Sequence, residues 1–218
     1  MTGDDYRYLE ELVNAGHVQS PCLEMGAGLA GANFRDLLRR NGIQYYGADK
    51  VSGPAVDFVF NLDEPSESIV SALSSIGEFG SVILANVLEH TFDPIRALDT
   101  ACGILRLGGT CIIITPAVWP LHDFPIDCWR PMPSFYTEYA TRRNLDLLLD
   151  TFRYVGYGQV NGFVDHEGTW VFPRPTKSAL HYWYSRVLHR VFNTHGRGMR
   201  FPAHLAVGVV LEKPVAAL

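Results

Sequence analysis

Apolar residues recur along this chain with two periods, one near 3.6 and one of buried runs, and the two alternate. Residues 5–16 place Leu9, Leu12 and Val13 on one face and end at Gly16, which predicts a short amphipathic helix. A strand from about Pro21 to Met25 follows. After a glycine turn, a helix beginning near Ala32 carries Phe34, Leu37 and Leu38 inward and ends near Asn41-Gly42. Gln44 to Ala48 reads as a second strand, and Val56 to Asp63 as an edge strand running into a polar turn. Ser66 to Ser75 reads as a weak helix. Phe79 to Ala85, with Val82, Ile83 and Leu84 consecutive, reads as a central strand covered on both faces. Asp93 caps and Pro94 opens a helix to Leu107, with Ile95, Leu98, Cys102 and Leu105 on its inner face and Gly108-Gly109 as its stop. Thr110 to Thr115 is the next strand. Phe135 to Ala140 and Asn144 to Phe152 read as helices, and Gly158 to Val164 and Leu205 to Glu212 as the last strands.

Strands alternating with helices predict an α/β fold, a mostly parallel sheet with right-handed crossovers and helices on both faces. A chain of 218 residues is long enough for one such domain, with hydrophobic and charged contents of 47% and 19% that are ordinary for a globular protein. The net charge of −5 argues against nucleic acid as the main partner. Cys22, Cys102, Cys111 and Cys128 show no C-x-x-C spacing, and Cys22 and Cys111 sit in apolar runs. Free buried thiols suit a reducing cytoplasm. The first residues carry no signal-peptide pattern, and no apolar run reaches the length of a membrane span. No histidine or cysteine grouping has zinc spacing, and neither a G-x-S-x-G elbow nor a Walker loop is present.

The chemistry concentrates on Cys22-Leu23-Glu24-Met25-Gly26-Ala27-Gly28-Leu29-Ala30-Gly31. An apolar strand runs into a carboxylate and then a glycine turn at a helix start, a place where backbone N–H groups meet a ligand. Gly26, Gly28 and Gly31 also satisfy the dinucleotide pattern G-x-G-x-x-G. Glu24 separates the two ligands. It would repel a pyrophosphate and attract an ammonium group such as that of S-adenosylmethionine. Asp49, 21 residues beyond Gly28, can accept hydrogen bonds from ribose hydroxyls that either ligand offers, with Lys50 beside it. Asn86 ends the central strand at the same sheet edge.

Leu23-Glu24-Met25-Gly26-Ala27-Gly28 resembles the first motif of class I S-adenosylmethionine-dependent methyltransferases. Val87-Leu88-Glu89-His90 and Leu105-Arg106-Leu107-Gly108-Gly109 resemble later landmarks of that family, in the right order. The resemblance covers about residues 20–165. It implies a Rossmann-like, doubly wound, seven-stranded sheet closed by an antiparallel C-terminal hairpin, here the strands at 158–164 and 205–212. It implies one domain over 1–218, with a core of about 20–165 plus 203–213 and an insertion at about 168–202. It also implies S-adenosylmethionine as methyl donor, held by Glu24, Gly26, Ala27, Gly28, Asp49, Lys50 and Asn86, with Asn61 and Leu62 at the adenine. Asp63 is a near alternative at the adenine, and plain turn chemistry of Asn and Asp is the other reading of this stretch.

Between Pro116 and Pro133 lie Trp119, His122, Asp123, Phe124, Asp127, Trp129 and Arg130 among three further prolines. The segment His122-Asp123-Phe124-Pro125-Ile126-Asp127-Cys128-Trp129-Arg130 resembles a pattern in methyltransferases of polysaccharide and natural-product pathways. It follows a strand whose end faces the ligand, so it is a candidate acceptor lid. His122 is the first candidate general base and His90 the second. Asp127 orients a histidine or takes the proton itself, and Trp119, Trp129 and Arg130 hold the acceptor. The alternative for the polar members is an ion pair or turn bond that stiffens the loop. The acceptor class is a small molecule or sugar, methylated on oxygen or nitrogen. Thr115-Pro116-Ala117-Val118 lacks the type used on nucleobase amino groups. Residues 168–211 hold no acidic side chain, and Leu180 to Phe192 has helical periodicity with a basic opposite face. That face is either solvated or a contact for an anionic surface. Two other readings stay open: an NAD-dependent oxidoreductase, and a module that binds S-adenosylmethionine without turnover.

Overall fold

The computed structural model describes residues 2–28, 33–119, 126–155, 161–162, 187 and 205–215. Helix α1 (Gly3–Asn14) leads into β1 (Cys22–Met25), then α2 (Arg35–Arg40), β2 (Tyr45–Asp49) and β3 (Phe58–Val59). Next come α3 (Ser66–Leu73), β4 (Phe79–Ala85), a 3-10 turn (Leu88–His90), α4 (Pro94–Gly103) and β5 (Leu105–Val118). Helix α5 (Pro133–Arg143) precedes β6 (Asp146–Leu147), β7 (Arg153–Val155), β8 (Asn161–Gly162) and β9 (Leu205–Glu212).

The strands form one sheet in the order β3-β2-β1-β4-β5-β9-β7-β8, with β6 also paired to β9. From β3 to β5 every pair is parallel, and β9 runs antiparallel to β5, β6 and β7. This is the Rossmann-like, mostly parallel architecture expected; among the described residues it has seven strands in the expected places or close to them and two further short ones, β6 and β8. Successive side chains of a strand point to opposite faces, and both faces are covered here. Leu23, Val82, Leu84, Cys111 and Ile113 pack under α3, α4 and α5. Cys22, Ile83, Ile112 and Ile114 pack under α1 and α2. The strand order reverses between β1 and β4, so the carboxyl ends of β1, β2 and β4 open a crevice there.

Several boundaries differ from the expectation, each for a local reason. Helix α4 stops at Gly103, because Leu105 is already paired with Phe79 as the first residue of β5. Leu105 is therefore buried from a strand, and Ile95, placed on the inner helix face by periodicity, is exposed. Gly108 takes φ +71° inside β5, where the β4–β5 register shifts, and it does not stop a helix. The expected edge strand at 56–63 shrinks to Phe58–Val59 against β2.

Residues 144–152 are not helical. Asn144 takes a left-handed φ of +52° and ends α5. The chain then lies along β9 as one interrupted strand. β6 pairs Leu147 with Leu211, the Leu148 N–H donates to the Val210 carbonyl, and the Val210 N–H donates to Thr151 Oγ at 3.1 Å. Tertiary pairing overrides helix propensity here. The antiparallel partner of β9 is β7 at Arg153–Val155, ahead of the expected 158–164. Of that expected strand, the described residues 161–162 form β8, and the others lie outside the described residues. The amphipathic stretch Leu180 to Phe192 also lies outside them, except for Val187, which is helical and exposed. All four cysteines are free; Cys22, Cys102 and Cys111 are buried. Among the described residues, no helix is long and apolar enough to cross a membrane.

Candidate functional site

The end of β1 becomes a cradle because two glycines leave room that no other residue would. Gly26 sits at φ +91°, and a Cβ there would lie 2.8 Å from a methyl of Val87. The Gly26 and Ala27 N–H groups both donate to the Ala48 carbonyl, which ties the turn to the end of β2. The Gly28 N–H donates to Asp49 Oδ2 at 3.0 Å, and the Val51 N–H to Asp49 Oδ1 at 3.1 Å. Asp49 is thus aimed by two backbone groups at the mouth of the turn. Lys50 follows it, exposed. Residues 29–32, which complete the glycine motif, lie outside the described residues.

Glu24 is turned inward. It is 2% exposed, and its Oε2 accepts from the Phe34 N–H at 3.0 Å and from the Tyr45 hydroxyl at 2.8 Å. Burial raises its carboxyl from the usual 4.5 to about 7, against the two hydrogen bonds, which favour the charged form. Glu24 fastens the segment beyond the turn to β1 and β2.

The end of β4 is held from an unexpected direction. Asn86 takes φ +51°, its N–H donates to the Ile114 carbonyl, and its Nδ2 donates to Asp5 Oδ2 at 3.1 Å. Asp5 is itself buried within the capping box of α1, where Thr2 and Asp5 cap each other. The N-terminal helix therefore reaches the carboxyl edge of the sheet, a contact that no sequence pattern announced.

At the end of β3, Asn61 accepts the Asp63 N–H on its side-chain oxygen at 3.0 Å, an Asx turn, and Leu62 packs into the core. Asp63 carries more of the local structure than its neighbour. Its Oδ1 accepts from the Phe92 and Asp93 N–H groups, and its carbonyl accepts from Arg96. The β3 turn and the start of α4 are joined through it.

A second tier lies beside the 3-10 turn. The Cys128 N–H donates to the Glu89 carbonyl at 2.9 Å, and His90 Nδ1 meets the Ile126 carbonyl at 2.5 Å. A carbonyl only accepts, so Nδ1 carries the proton in that bond. Arg130 grips Asp127 through both guanidinium nitrogens, with the Asp127 side chain 1% exposed and that of Arg130 24% exposed. Trp129 meets Phe135 edge to face at 4.9 Å, which seats the strip on α5. Trp119 is half-buried just past β5. His122, with Asp123, Phe124 and Pro125, lies outside the described residues. The structure thus brings His90, Asp127, Trp129 and Arg130 together in one patch, beside the edge that carries Gly26, Gly28, Asp49 and Asn86.

Glu89 is the residue that sequence reasoning passed over, although it stands inside the quoted Val87–His90 motif. Its side chain is fully buried, and neither carboxyl oxygen has a hydrogen-bond partner. His90 Nε2 lies 3.8 Å from its Oε1. Burial raises its carboxyl from 4.5 to about 7; Arg130 opposes the rise and Asp127 adds to it. The Thr115 and Tyr136 hydroxyls, also buried, face each other without reaching hydrogen-bond geometry. An unpaired buried polar group costs about 1–3 kcal/mol, so such a group points to a partner or a task. A cavity of about 520 Å³ lined by Cys102, Tyr139, Arg143 and Lys213 lies at the opposite end of the strands, away from this edge.

A family model described as "Methyltransferase domain" matches residues 6–196. No curated protein sequence matches the chain. Among solved structures, a SAM-dependent methyltransferase from Archaeoglobus fulgidus superposes with a TM-score of 0.55 at 12% identity, over 97% of this chain and 95% of its own. The Burkholderia thailandensis 1,6-didemethyltoxoflavin-N1-methyltransferase, solved with 1,6-didemethyltoxoflavin and S-adenosylhomocysteine, gives 0.55 at 14% identity, over 98% and 79%. The plantazolicin methyltransferase BamL, solved with a desmethyl analogue and S-adenosylhomocysteine, gives 0.55 at 13% identity, over 96% and 84%. At these identities the likeness is one of fold.

Proposed function

The chain belongs to the methyltransferase-domain family, and we propose that it moves a methyl group from S-adenosylmethionine to an oxygen or nitrogen of a small-molecule or sugar acceptor. The observation that carries this is the cradle at Gly26 and Gly28, where any Cβ would collide with Val87 or Asp49. That clearance, with a carboxylate aimed by two N–H groups at its mouth, fits the ribose end of an adenosyl ligand. In this reading Gly26, Ala27 and Gly28 give backbone approach, and Asp49 accepts from the ribose hydroxyls beside Lys50. Asn61 and Leu62 border the adenine. Asn86 and Glu24 hold the edge in shape, Glu24 from within rather than by meeting an ammonium group at the surface.

When bound, the donor supplies a methyl on a sulfonium, whose sulfur leaves without acid assistance. The protein's part is alignment and exclusion of water, and positioning alone supplies roughly 7–11 kcal/mol. His122, His90 and Asp127 form the acid–base side of the acceptor site, with Trp119, Trp129 and Arg130 holding the acceptor. Asp127 is engaged by Arg130 and His90 by Ile126, which supports an orienting role for both. An acceptor of natural-product size agrees with the names of two structural neighbours, a toxoflavin-precursor and a plantazolicin methyltransferase. The free buried thiols support work in the cytoplasm.

Calorimetry with S-adenosylmethionine and with NAD, on wild type and Asp49→Ala, tests the reading. Binding of the first, weakened at least about tenfold by the substitution as loss of about 1.4 kcal/mol requires, supports it. Binding of NAD alone overturns it.

A further inference from the structure

The methyl-transfer reading leaves one strongly placed group unused. Glu89 is fully buried at the centre of the second tier, and both of its carboxyl oxygens lack a hydrogen-bond partner. The charged groups facing it are already matched to one another. From the strip 126–130, Arg130 is held by Asp127 in a two-pronged pair. On its own turn, His90 gives Nδ1 to the Ile126 carbonyl and presents Nε2 to Glu89 at 3.8 Å. From α5, Tyr136 is a neutral phenol, pushed well above its usual range by burial first and by Glu89 as well. Arg130 favours an ionised Glu89 but is already engaged by Asp127, and burial outweighs it and raises the carboxyl to about 7, so below neutral pH the proton is mostly held.

Glu89 follows Asn86 at the crevice by three positions, and the hydroxyls of Thr115 and Tyr136 stand buried and unsatisfied in the same neighbourhood. Glu89 stands on the turn that starts at Val87 against Gly26, and its carbonyl accepts from the Cys128 N–H of the strip 126–130, so a buried carboxyl without a donor here is a candidate acid–base group.

Resting on the methyl-transfer reading, we propose that Glu89 is the proton-holding carboxyl of the transfer site: it releases its proton to solvent water when the cationic donor binds, and as carboxylate receives the proton that the acceptor loses. The balance closes. The methyl carbon's bond to sulfur breaks with its electron pair left on sulfur, and the carbon's bond to the acceptor oxygen or nitrogen forms. The acceptor's O–H or N–H bond breaks, and the proton ends on a Glu89 oxygen. His90 and the Asp127–Arg130 pair are positioning residues for this carboxyl.

The test does not need the acceptor. Binding of S-adenosylmethionine and of its uncharged-sulfur counterpart S-adenosylhomocysteine is measured on the full chain near pH 6.5, in buffers of differing ionisation enthalpy, to count protons released. Wild type is expected to release a large fraction of one proton with the sulfonium ligand and much less with the thioether. In Glu89→Gln that difference disappears while S-adenosylhomocysteine affinity stays within about threefold; in His90→Gln the difference remains. Retention of the difference in Glu89→Gln, its loss only in His90→Gln, or equal release with both ligands in wild type overturns the proposal. Infrared difference spectra of wild type are a check that needs no variant: a buried protonated-carboxyl band is lost when S-adenosylmethionine binds, and its persistence overturns the proposal. Absence of binding heat with either ligand instead overturns the methyl-transfer reading itself.

Discussion

Gly28 and Asp49 are fitted to each other: the Gly28 N–H donates to Asp49 Oδ2 at 3.0 Å, and a Cβ on Gly28 would stand 2.5 Å from the carboxylate carbon. The backbone of Gly28 does not lie in the left-handed region, so alanine meets no backbone strain there. Its whole effect falls on Asp49. Gly28→Ala is expected to fold, and to bind S-adenosylmethionine at least about tenfold more weakly by displacing that carboxylate, a loss of about 1.4 kcal/mol. Calorimetry paired with a thermal melt checks this. Undiminished affinity would show that the cradle does not hold the ligand.

Asn86 combines a left-handed backbone with a side-chain bond to Asp5, and two substitutions separate these contributions. Asn86→Ala loses the bond and also the short polar side chain that lets asparagine tolerate φ near +51°, costing about 2 kcal/mol in all. Asn86→Gly loses the bond and pays in chain entropy but sheds the Cβ strained at that φ, so it should cost nearer 1 kcal/mol. Urea unfolding of both variants decides the matter. Equal losses, or a worse outcome for glycine, would contradict the strain argument.

Glu24 gives the fold a pH dependence whose sign follows from burial. Its folded carboxyl is raised to about 7 from the usual 4.5, so between those values the native chain holds a proton that the unfolded chain has lost. Stability therefore falls as pH rises from about 4.5 to about 7 and levels off above, by up to about 3 kcal/mol from this group. Glu89 is raised to the same value and adds a slope of the same sign. Glu24→Gln should flatten roughly half of the decline in melting temperature across that window. A wild-type melting temperature that climbs between pH 5 and pH 7 would refute both assignments.

Local signals explain what the sequence revealed. Glycine spacing and one apolar run located the cradle, since strand and turn are written in consecutive residues even though the groups they make room for, Val87 and Asp49, come from elsewhere in the chain. The last strand, Leu205–Glu212, coincides with its expected bounds because a valine-rich apolar run, closed by Glu212, states them. Features made by side chains meeting from far apart left no such trace. Asp5 reaches Asn86 across 81 positions, and Asp63 reaches Phe92 across 29. Either acid read in sequence is an ordinary helix-start or turn residue. Residues 144–152 carry helical composition, yet β9 offers them an open strand edge, and the backbone bonds gained there outweigh propensity. Glu89 was visible as a letter in a motif, but its missing partners are a property of the folded surroundings alone.

The place of β9 bears on how the molecule is born. It lies between β5 on one side and β6 and β7 on the other, although it follows all of them in the chain. Synthesis runs from the amino terminus, so β1, β2, β4 and β5 leave the ribosome long before the strand that must cover β5. The glycine cradle belongs to the part made early, and its strands pair among themselves without waiting. Until Leu205–Glu212 arrives, a nascent chain carries a nearly finished crevice and, along β5, a row of unmet backbone groups open to other strands. Bound donor would steady the early half through that interval, and a chain cut short before Leu205 would keep its crevice while aggregating through β5.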